Sequence, residues 1–194
     1  RGKPSVYNKW NTNVAILSGD VMLMQSIQLL SKNNHTNLHD VLDIFNTAAI
    51  QVCEGQQLDM DFEKLSTVSI DDYLNMIELK TAVLLGASLK IGAVISETPA
   101  GNAHHIYEFG KNLGVAFQLM DDILDLYGDP DKVGKRIGGD VIVNKKTYLL
   151  LKAQELVTGK AAKDLEFCLN SAVLEDNTKV ERVTAIFNGL NIKK

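Results

Sequence analysis

The feature that most constrains this chain is the spacing of its apolar residues, which recur every three or four positions along nearly the whole length. Within 18–30, for example, Val21, Met24 and Ile27 fall on one helical face. Runs of alternating apolar and polar residues bounded by hairpin turns are not evident, so strands are not expected. The pattern predicts an all-α fold, a bundle of long, mostly antiparallel helices in a single domain over 1–194. The expected helices cover 18–30, 38–53, 70–97, 100–127, 141–157, 161–172 and 178–190.

Glycine, proline and capping residues divide the predicted helices. The sequence 69–72 resembles a capping box, which predicts that a helix begins there and runs until Pro99. The polar segment 55–69 and the glycine-rich segment 132–140 are expected to be irregular. Gly86 and Gly92 lie inside the helix that precedes Pro99. Because glycine costs about 1 kcal/mol relative to alanine inside a helix, these two predict close packing of helix backbones.

Composition excludes several classes of protein. The chain has 194 residues and a net charge of −4, which gives no reason to expect a nucleic-acid partner. Its longest run without a charged residue, 21–31, is far shorter than the ~20 apolar residues of a membrane span, so no span is expected. Cys53 and Cys168 form no CxxC pair and are expected to be small core residues. No signal peptide is visible, so we expect a cytoplasmic protein, and the start at Arg1 suggests part of a longer chain, incomplete at both ends.

The densest cluster of acidic residues lies near the end of the helix expected over 100–127. Asp121 and Asp125 are one helical turn apart on the same face, and Asp122 points about 100° away. The flanking residues are apolar, so a cation is needed beside these carboxylates. Oxygen ligands without histidine or cysteine favour Mg²⁺, which binds one or two carboxylates together with water and phosphate. The alternative is a solvated acidic face, and spacing alone does not decide between them.

Basic residues follow this acidic cluster. Lys135 lies in a glycine-rich loop, and Lys145 and Lys146 follow in the next segment. Lysine ammonium groups and mobile glycine backbone suit a phosphate group, so carboxylates followed by lysines are typical of a cradle for diphosphate and Mg²⁺. A flexible loop with solvated lysines is the alternative. Lys80 lies inside an otherwise apolar helix, where it must either extend to solvent or contact an anion.

Together these residues resemble a known family. The motifs are Gly55-Gln56-Gln57-Leu58-Asp59, Lys80-Thr81, Phe117-Gln118, Asp121-Asp122-Ile123-Leu124-Asp125, and Gly134-Lys135 through Lys145-Lys146-Thr147. In this order they resemble trans-isoprenyl diphosphate synthases of the farnesyl and geranylgeranyl type, over essentially all the chain as far as Leu190. The resemblance implies an isoprenoid synthase-type helical bundle and condensation of isopentenyl diphosphate with an allylic diphosphate such as dimethylallyl or geranyl diphosphate. The product would be a longer trans-prenyl diphosphate such as farnesyl diphosphate, and the protein would be a homodimer.

The resemblance also implies a role for each motif residue. Asp121 would bind Mg²⁺, and Asp122 and Asp125 would hold its water shell, so that the metal neutralises the diphosphate leaving group. The residues that it assigns to substrate are Arg1, Lys80, Thr81, Phe117, Gln118, Lys135 and Lys145. The lysines would hold the allylic diphosphate and the arginine the diphosphate of isopentenyl diphosphate. The Thr81 and Gln118 oxygens would face the allylic carbocation, so these two residues and Lys80 are the expected catalytic residues, while Phe117 would exclude water.

Three features of the family are not in the sequence, one of them the upstream Gly-Lys-Arg segment that binds isopentenyl diphosphate. The first DDxxD motif is absent, and so is the first arginine of the pair to which Arg1 would belong, so the sequence as it stands is expected to be inactive alone. A non-catalytic helical subunit of a heteromeric prenyl synthase is therefore the alternative function. A class I terpene cyclase is a third, although its second metal motif is normally built on Asn, Ser and Glu rather than on Asp-Asp-x-x-Asp.

Overall fold

The computed structural model describes residues 3–32, 36–129, 137–171 and 173–193. Across these residues the regular structure is entirely helical, which confirms the all-α prediction. The helices are α1 (Val6–Lys9), α2 (Thr12–Ser31), α3 (Leu38–Phe62), α4 (Ile70–Ile77), a π-helical segment (Glu78–Ala82), α5 (Val83–Ile95), α6 (Ala100–Tyr127), α7 (Gly139–Ile142), α8 (Tyr148–Leu156), α9 (Gly159–Asn170) and α10 (Asp176–Gly189).

Helices α5 and α6 pack with their backbones in close contact. A Cβ atom added to Gly110 of α6 would lie 2.9 Å from the Cα of Gly86, and one added to Gly114 would lie 2.5 Å from the Cα of Ala82. The prediction that Gly86 serves close helix packing is therefore confirmed. The same prediction for Gly92 is wrong in this chain, since a Cβ there would meet nothing within 4 Å.

Helix α3 continues nine residues beyond the expected end at Cys53 and ends at Phe62, so the predicted irregular segment is wrong for 55–62, whereas 63–69 is irregular as predicted. The reason lies at Gly55, which is buried and faces the π-helical segment. A Cβ atom on Gly55 would lie 2.3 Å from the backbone nitrogen of Lys80. This glycine is a point of close approach between two helices rather than a helix breaker. The exposure of Cys53 on α3 also makes its predicted core position wrong, whereas Cys168 is fully buried as predicted.

The helix predicted over 70–97 forms as one nearly continuous rod with a π-helical turn in its middle. Ser69 and Asp72 form the predicted capping box, in which each side chain hydrogen-bonds the backbone N–H of the other residue. The π-turn, Glu78–Ala82, contains Lys80 and Thr81. Such turns occur often at functional sites because they displace side chains from the regular helical positions.

The helix predicted over 141–157 is instead two helices, α7 and α8, joined by a turn. Asn144 adopts a positive φ of 55°, which interrupts a right-handed helix. Thr147 then begins α8, because its side-chain hydroxyl accepts a hydrogen bond from the N–H of Leu150. The break turns the chain back so that Lys145 lies beside the end of α6.

Two hydrophobic clusters hold these elements together. One joins α6, α8, α9 and α10 around Leu126, Leu150, Leu165 and Phe187. The other joins α3, α4 and α8 around Phe62, Tyr73 and Leu151. Together they place the end of α3, the π-helical turn, the C-terminal half of α6 and the α7–α8 turn around one region of the molecule.

Helix α2 lies apart from both clusters and buries none of its side chains. Within the described ranges it is the helix long and apolar enough, by length and composition, to cross a membrane. One such helix is not enough to overturn the expectation of no membrane span, which rested on the uncharged runs that Asp20 interrupts. This is weak evidence for a span, because core helices of soluble proteins and signal sequences pass the same test.

Candidate functional site

Asp122 is the most deeply placed carboxylate of the acidic cluster, with 5% of its surface exposed. The hydroxyl of Tyr73 on α4 donates a 2.5 Å hydrogen bond to its Oδ2. Burial raises the pKa of Asp122 above the ordinary value of a carboxyl group, and four interactions oppose this rise. They are the Tyr73 hydrogen bond, the positive charge of Lys145, and hydrogen bonds from the Gln118 side chain and the Tyr148 backbone. Asp122 thus links α4, α6 and α8 instead of standing at the side of the cluster.

Asp125, one turn from Asp121, is tied to the segment that follows α6. Its Oδ2 accepts a 3.0 Å hydrogen bond from the backbone N–H of Asp140 at the start of α7. Its carbonyl oxygen accepts another, at 2.7 Å, from the N–H of Gly138. Gly138 has a positive φ of 71°, a conformation that favours glycine. The chain therefore returns to the carboxylate face of α6 directly after 130–136.

Lys145 brings a positive charge to this face. Its Nζ lies 3.7 Å from Oδ1 of Asp140. Burial lowers the pKa of Lys145, but the negative charges of Asp140, Asp59, Asp122 and Asp121 outweigh burial, and the net pKa is raised. Burial also raises the pKa of Asp140; Lys145 opposes this, and the acidic residues of α6 add to it. The acidic cluster and the lysine that follows it are therefore neighbours, as the cradle hypothesis requires.

Lys80 contacts an anionic partner within the protein. Its Nζ donates to Oδ2 of Asp59 on α3 at 2.6 Å, and the two side chains are 31% and 18% exposed. Of the two possibilities left open for Lys80, contact with an anion is the one that forms. Asp59 is not on a solvated loop but on the last turns of α3. Asp59 and Lys145 line the same cavity, so the Lys80–Asp59 ion pair lies next to Lys145.

Thr81 and Gln118 connect the π-helical turn to α6. The Thr81 hydroxyl donates to Oε1 of Gln118 at 3.2 Å, and the Gln118 amide hydrogen-bonds Asp122. The two expected catalytic oxygens are thus close together. Phe117 lies on the exposed side of α6 with 61% of its surface accessible. In the described residues it borders the site without closing it.

The remaining expected site residues are placed as follows. Asp121 is half-buried on α6 and acts electrostatically on both Lys145 and Asp140. Arg1 and Lys135 lie outside the described residues, so their expected contacts with diphosphate stay predictions. The structure therefore gathers Asp121, Asp122, Asp125, Lys80, Thr81, Gln118 and Lys145 into one region.

Comparison with known proteins decides the family. The family model described as "Polyprenyl synthetase" matches residues 1–188. The chain belongs to the polyprenyl synthetase family. It is 37% identical over 181 residues to the short chain isoprenyl diphosphate synthase of Methanocaldococcus jannaschii, covering 92% of this chain and 55% of the relative.

Solved structures agree with this family assignment. A crystal structure of geranylgeranyl pyrophosphate synthase matches with a TM-score of 0.91 and 41% identity, over 98% of this chain and 59% of that one. A polyprenyl synthase from Caulobacter crescentus, solved with calcium and isoprenyl diphosphate, matches with a TM-score of 0.86 and 27% identity, over 98% and 57%. The chain thus spans somewhat more than half the length of the relatives it matches.

The carboxylates fit a magnesium ion of the kind that a polyprenyl synthetase would use. In the described ranges, no three His, Cys, Asp or Glu side chains converge closely enough to hold a metal by themselves. Mg²⁺ does not need such a cage, since it usually binds through one or two carboxylates and completes its octahedron with water and phosphate oxygens. The donor set here is all oxygen, with Asp121 and Asp125 on one helical face.

Two residues of the candidate site are not apparent from the sequence motifs. Tyr73 is 49 residues from Asp122, and its hydroxyl is the closest partner of that carboxylate. Asp140 lies in a segment whose sequence signal is its glycines and lysines, yet its carboxylate lies 3.7 Å from the Lys145 ammonium and its backbone N–H donates to Asp125. Asp59 could have been found from sequence only weakly, as the last residue of the Gly-Gln-x-x-Asp pattern.

Proposed function

We propose that the protein transfers an allylic prenyl group to isopentenyl diphosphate, giving a longer trans-prenyl diphosphate such as farnesyl diphosphate. One observation carries this proposal. Lys145 lines one cavity with Asp122 and Asp125 of α6, and a second cavity with Asp59, the partner of Lys80. An all-oxygen face opposite ammonium groups suits a diphosphate bound together with a divalent cation.

Asp121 and Asp125 are the residues that would hold Mg²⁺, with Asp122 behind them. When bound, the ion would neutralise the negative charge that develops on the diphosphate as the bond to the allylic carbon breaks. Asp122 is too buried for a hydrated Mg²⁺ ion to approach it directly, and its Oδ2 already accepts a hydrogen bond from the Tyr73 hydroxyl. We assign it the role of fixing the α6 face and orienting Lys145.

The other residues bind, orient and shield. Lys80 and Lys145 hold the allylic diphosphate, together with Lys135, whose place lies outside the described residues. The ion pair with Asp59 keeps the Lys80 ammonium extended toward the site before substrate arrives. This preorganisation lowers the cost of ordering a flexible side chain on binding.

The allylic carbocation needs oriented dipoles and the exclusion of water. The Thr81–Gln118 hydrogen bond fixes two side-chain oxygens beside the carboxylate face. Oriented dipoles of this kind stabilise a developing positive charge without reorganising. Phe117 is one turn from Asp121 and borders the site, so its ring would form one wall against water that would otherwise consume the cation, without closing the site by itself. The proton lost after the new carbon–carbon bond forms goes to the departing diphosphate.

The proposal is tested by replacing Asp121 in the protein as it occurs naturally. Isopentenyl diphosphate and geranyl diphosphate are supplied with Mg²⁺, and the prenyl product is measured by chromatography. Asp121→Ala should lower turnover by a factor on the order of 10²–10³, the usual effect of removing a group that stabilises transition-state charge. The control is Glu181→Ala, an exposed acid-to-alanine change on α10. Near-normal turnover by Asp121→Ala, or a cyclic product from the wild type, would contradict the proposal.

We also propose that α2 packs against a second copy of the chain in a cytoplasmic homodimer. The helix buries none of its residues within the chain, yet exposes apolar side chains that include Ile16, Leu17, Met22 and Leu29. Exposed apolar surface of this extent marks an interaction site. Light scattering after size exclusion should give twice the monomer mass, and Met22→Lys should reduce it. Flotation of the protein with lipid vesicles would instead support a membrane role for α2.

A further inference from the structure

Helix α10 contains a buried lysine to which the proposed mechanism gives no role. Lys179 is 7% exposed, and its ammonium group donates to the carbonyl oxygen of Ile142 at 2.8 Å and to Oδ1 of Asn144 at 2.7 Å. Lysine is rarely this buried unless it is paired. Burial lowers the pKa of Lys179, so the fold accepts an electrostatic cost to keep this ammonium group under the α7–α8 turn.

Both acceptors lie in the turn that leads to Lys145. Asn144 has a positive φ of 55°, and its amide nitrogen also donates to the carbonyl oxygen of Leu169 on α9, at 2.8 Å. Its side chain therefore joins the turn to α9 and α10 at once. The next residue, Lys145, donates its backbone N–H to the carbonyl oxygen of Asp140 at 2.9 Å. These contacts hold the backbone from which the Lys145 side chain leaves the turn.

We propose that Lys179 is a positioning residue that, with Asn144, fixes the α7–α8 turn so that the Lys145 ammonium faces the carboxylates of α6. This inference rests on the proposed function, because it treats Lys145 as a ligand of diphosphate. Lys179 does not itself reach the site, since its two described hydrogen bonds end on the turn. Without it, the Ile142 carbonyl would lose its donor and Asn144 would lose one of its two side-chain bonds.

The first experiment measures binding without turnover. Calorimetry gives the dissociation constant of inorganic pyrophosphate with Mg²⁺ for the natural protein and for Lys179→Met, which removes the donor and keeps an unbranched chain. For Lys179→Met we expect weaker binding, with a dissociation constant roughly tenfold larger. KM for the allylic diphosphate should rise by a similar factor, with a smaller change in kcat. Val41→Ala, a buried truncation on α3 away from the turn, controls for general loss of stability. It should leave pyrophosphate binding unchanged.

A second variant covers the case in which Lys179→Met fails to fold. Asn144→Gly removes the side-chain bonds but keeps a residue that adopts a positive φ without strain. It should weaken pyrophosphate binding in the same direction as Lys179→Met.

The decisive measurement is a double-mutant cycle with Lys145. If Lys179 acts through Lys145, then Lys179→Met should weaken pyrophosphate binding in the natural protein but have little further effect in a Lys145→Met background. An equal effect in both backgrounds, or unchanged binding by both Lys179→Met and Asn144→Gly, would overturn the inference. In those cases the natural protein still binds pyrophosphate and the proposed function stands. No pyrophosphate binding by the natural protein would instead count against the proposed function, and the inference would fall with it.

Discussion

Removing the hydroxyl of Tyr73 tests whether its buried hydrogen bond to Asp122 stabilises the acidic cluster. Tyr73 is 2% exposed and Asp122 5% exposed, so water cannot replace the lost hydrogen bond without opening the core. Hydrogen bonds to charged groups contribute about 1.5–3 kcal/mol. Because Asp122 keeps its interactions with Gln118, Lys145 and the Tyr148 backbone, the lower part of this range applies. We expect Tyr73→Phe to lower the free energy of unfolding by about 2 kcal/mol.

The matched control is Tyr127→Phe. The Tyr127 hydroxyl donates to Oδ1 of Asn188 at 3.0 Å, a neutral bond near the surface where water can take its place. Such a bond contributes about 0.5 kcal/mol, at the low end of the range for neutral pairs. Urea titration gives the free energy of unfolding of each variant. Equal losses for Tyr73→Phe and Tyr127→Phe would refute the reasoning, since the chemical change is identical and only burial and the partner's charge differ.

A cycle with Asp122→Asn separates the charge from the hydrogen bond itself. Asparagine keeps the shape and an acceptor oxygen, so the Tyr73 hydroxyl still has a partner, but one without a negative charge. Tyr73→Phe should then cost about 1 kcal/mol in the Asp122→Asn background, because the bond lost is neutral. A cost of about 2 kcal/mol in both backgrounds would show that the carboxylate charge contributes nothing to the bond.

Two further predictions concern the approach of α3 to the π-helical turn and the charge of Lys145. Gly55→Ala should lower the free energy of unfolding by about 2 kcal/mol, because the added Cβ would lie 2.3 Å from the Lys80 backbone nitrogen and the backbone must move. Gly19→Ala, where a Cβ would have open space around it, should be neutral or stabilising in the same urea titration. Equal effects of the two substitutions would contradict the packing argument. The raised pKa of Lys145 means that its stabilising charge is fully present below the ordinary lysine value of 10.5 and is lost as pH rises through the folded-state pKa. We therefore measure the difference in melting temperature between the wild type and Lys145→Met as a function of pH. This difference should stay constant from neutral pH upward and decrease only in strong alkali. A decrease near pH 7, or the same pH profile for the exposed Lys163→Met, would contradict this assignment.

The helices most accurately predicted from sequence are those with chemical signals at both ends. Helix α6 has the predicted bounds because Pro99 precedes it and Gly128, the residue after it, begins a turn. The capping box at Ser69 likewise gives the start of α4. These signals are local, so periodicity and neighbouring residues are sufficient to find them.

Predictions failed where a distant contact decides the local structure. Gly55 suggests a helix end, but its role is to admit the backbone of Lys80, which is 25 residues away and not visible in a local window. Asn144 gives no local signal for a helix break, because it lies within a predicted helix. Its positive φ is accompanied by side-chain hydrogen bonds to Leu169 and Lys179. In both cases tertiary packing outweighs local propensity.

The candidate site shows the same division. The spacing of Asp121 and Asp125 places them on one face, and the order of the motifs brings Lys80 and Gln118 into the hypothesis. The partners that give these groups their chemistry come from other elements, as with Tyr73 for Asp122 and Asp59 for Lys80. Residue types and spacing therefore predict which side chains matter, while their protonation and orientation depend on packing.

The balance of charge in the described part of the site favours a diphosphate that binds together with a divalent cation, as the proposed function requires. The Lys145 ammonium lies 3.7 Å from Oδ1 of Asp140; burial lowers the pKa of Lys145, but the negative charges of Asp140, Asp59, Asp122 and Asp121 outweigh it and raise that pKa on balance. An added diphosphate alone would meet more negative than positive charge, since Lys80 is already paired with Asp59. A cation bound with the diphosphate reverses this repulsion, because the carboxylates then attract the ion while the lysines attract the phosphate oxygens. The proposed function therefore predicts that pyrophosphate binds in this region more tightly with Mg²⁺ than without it.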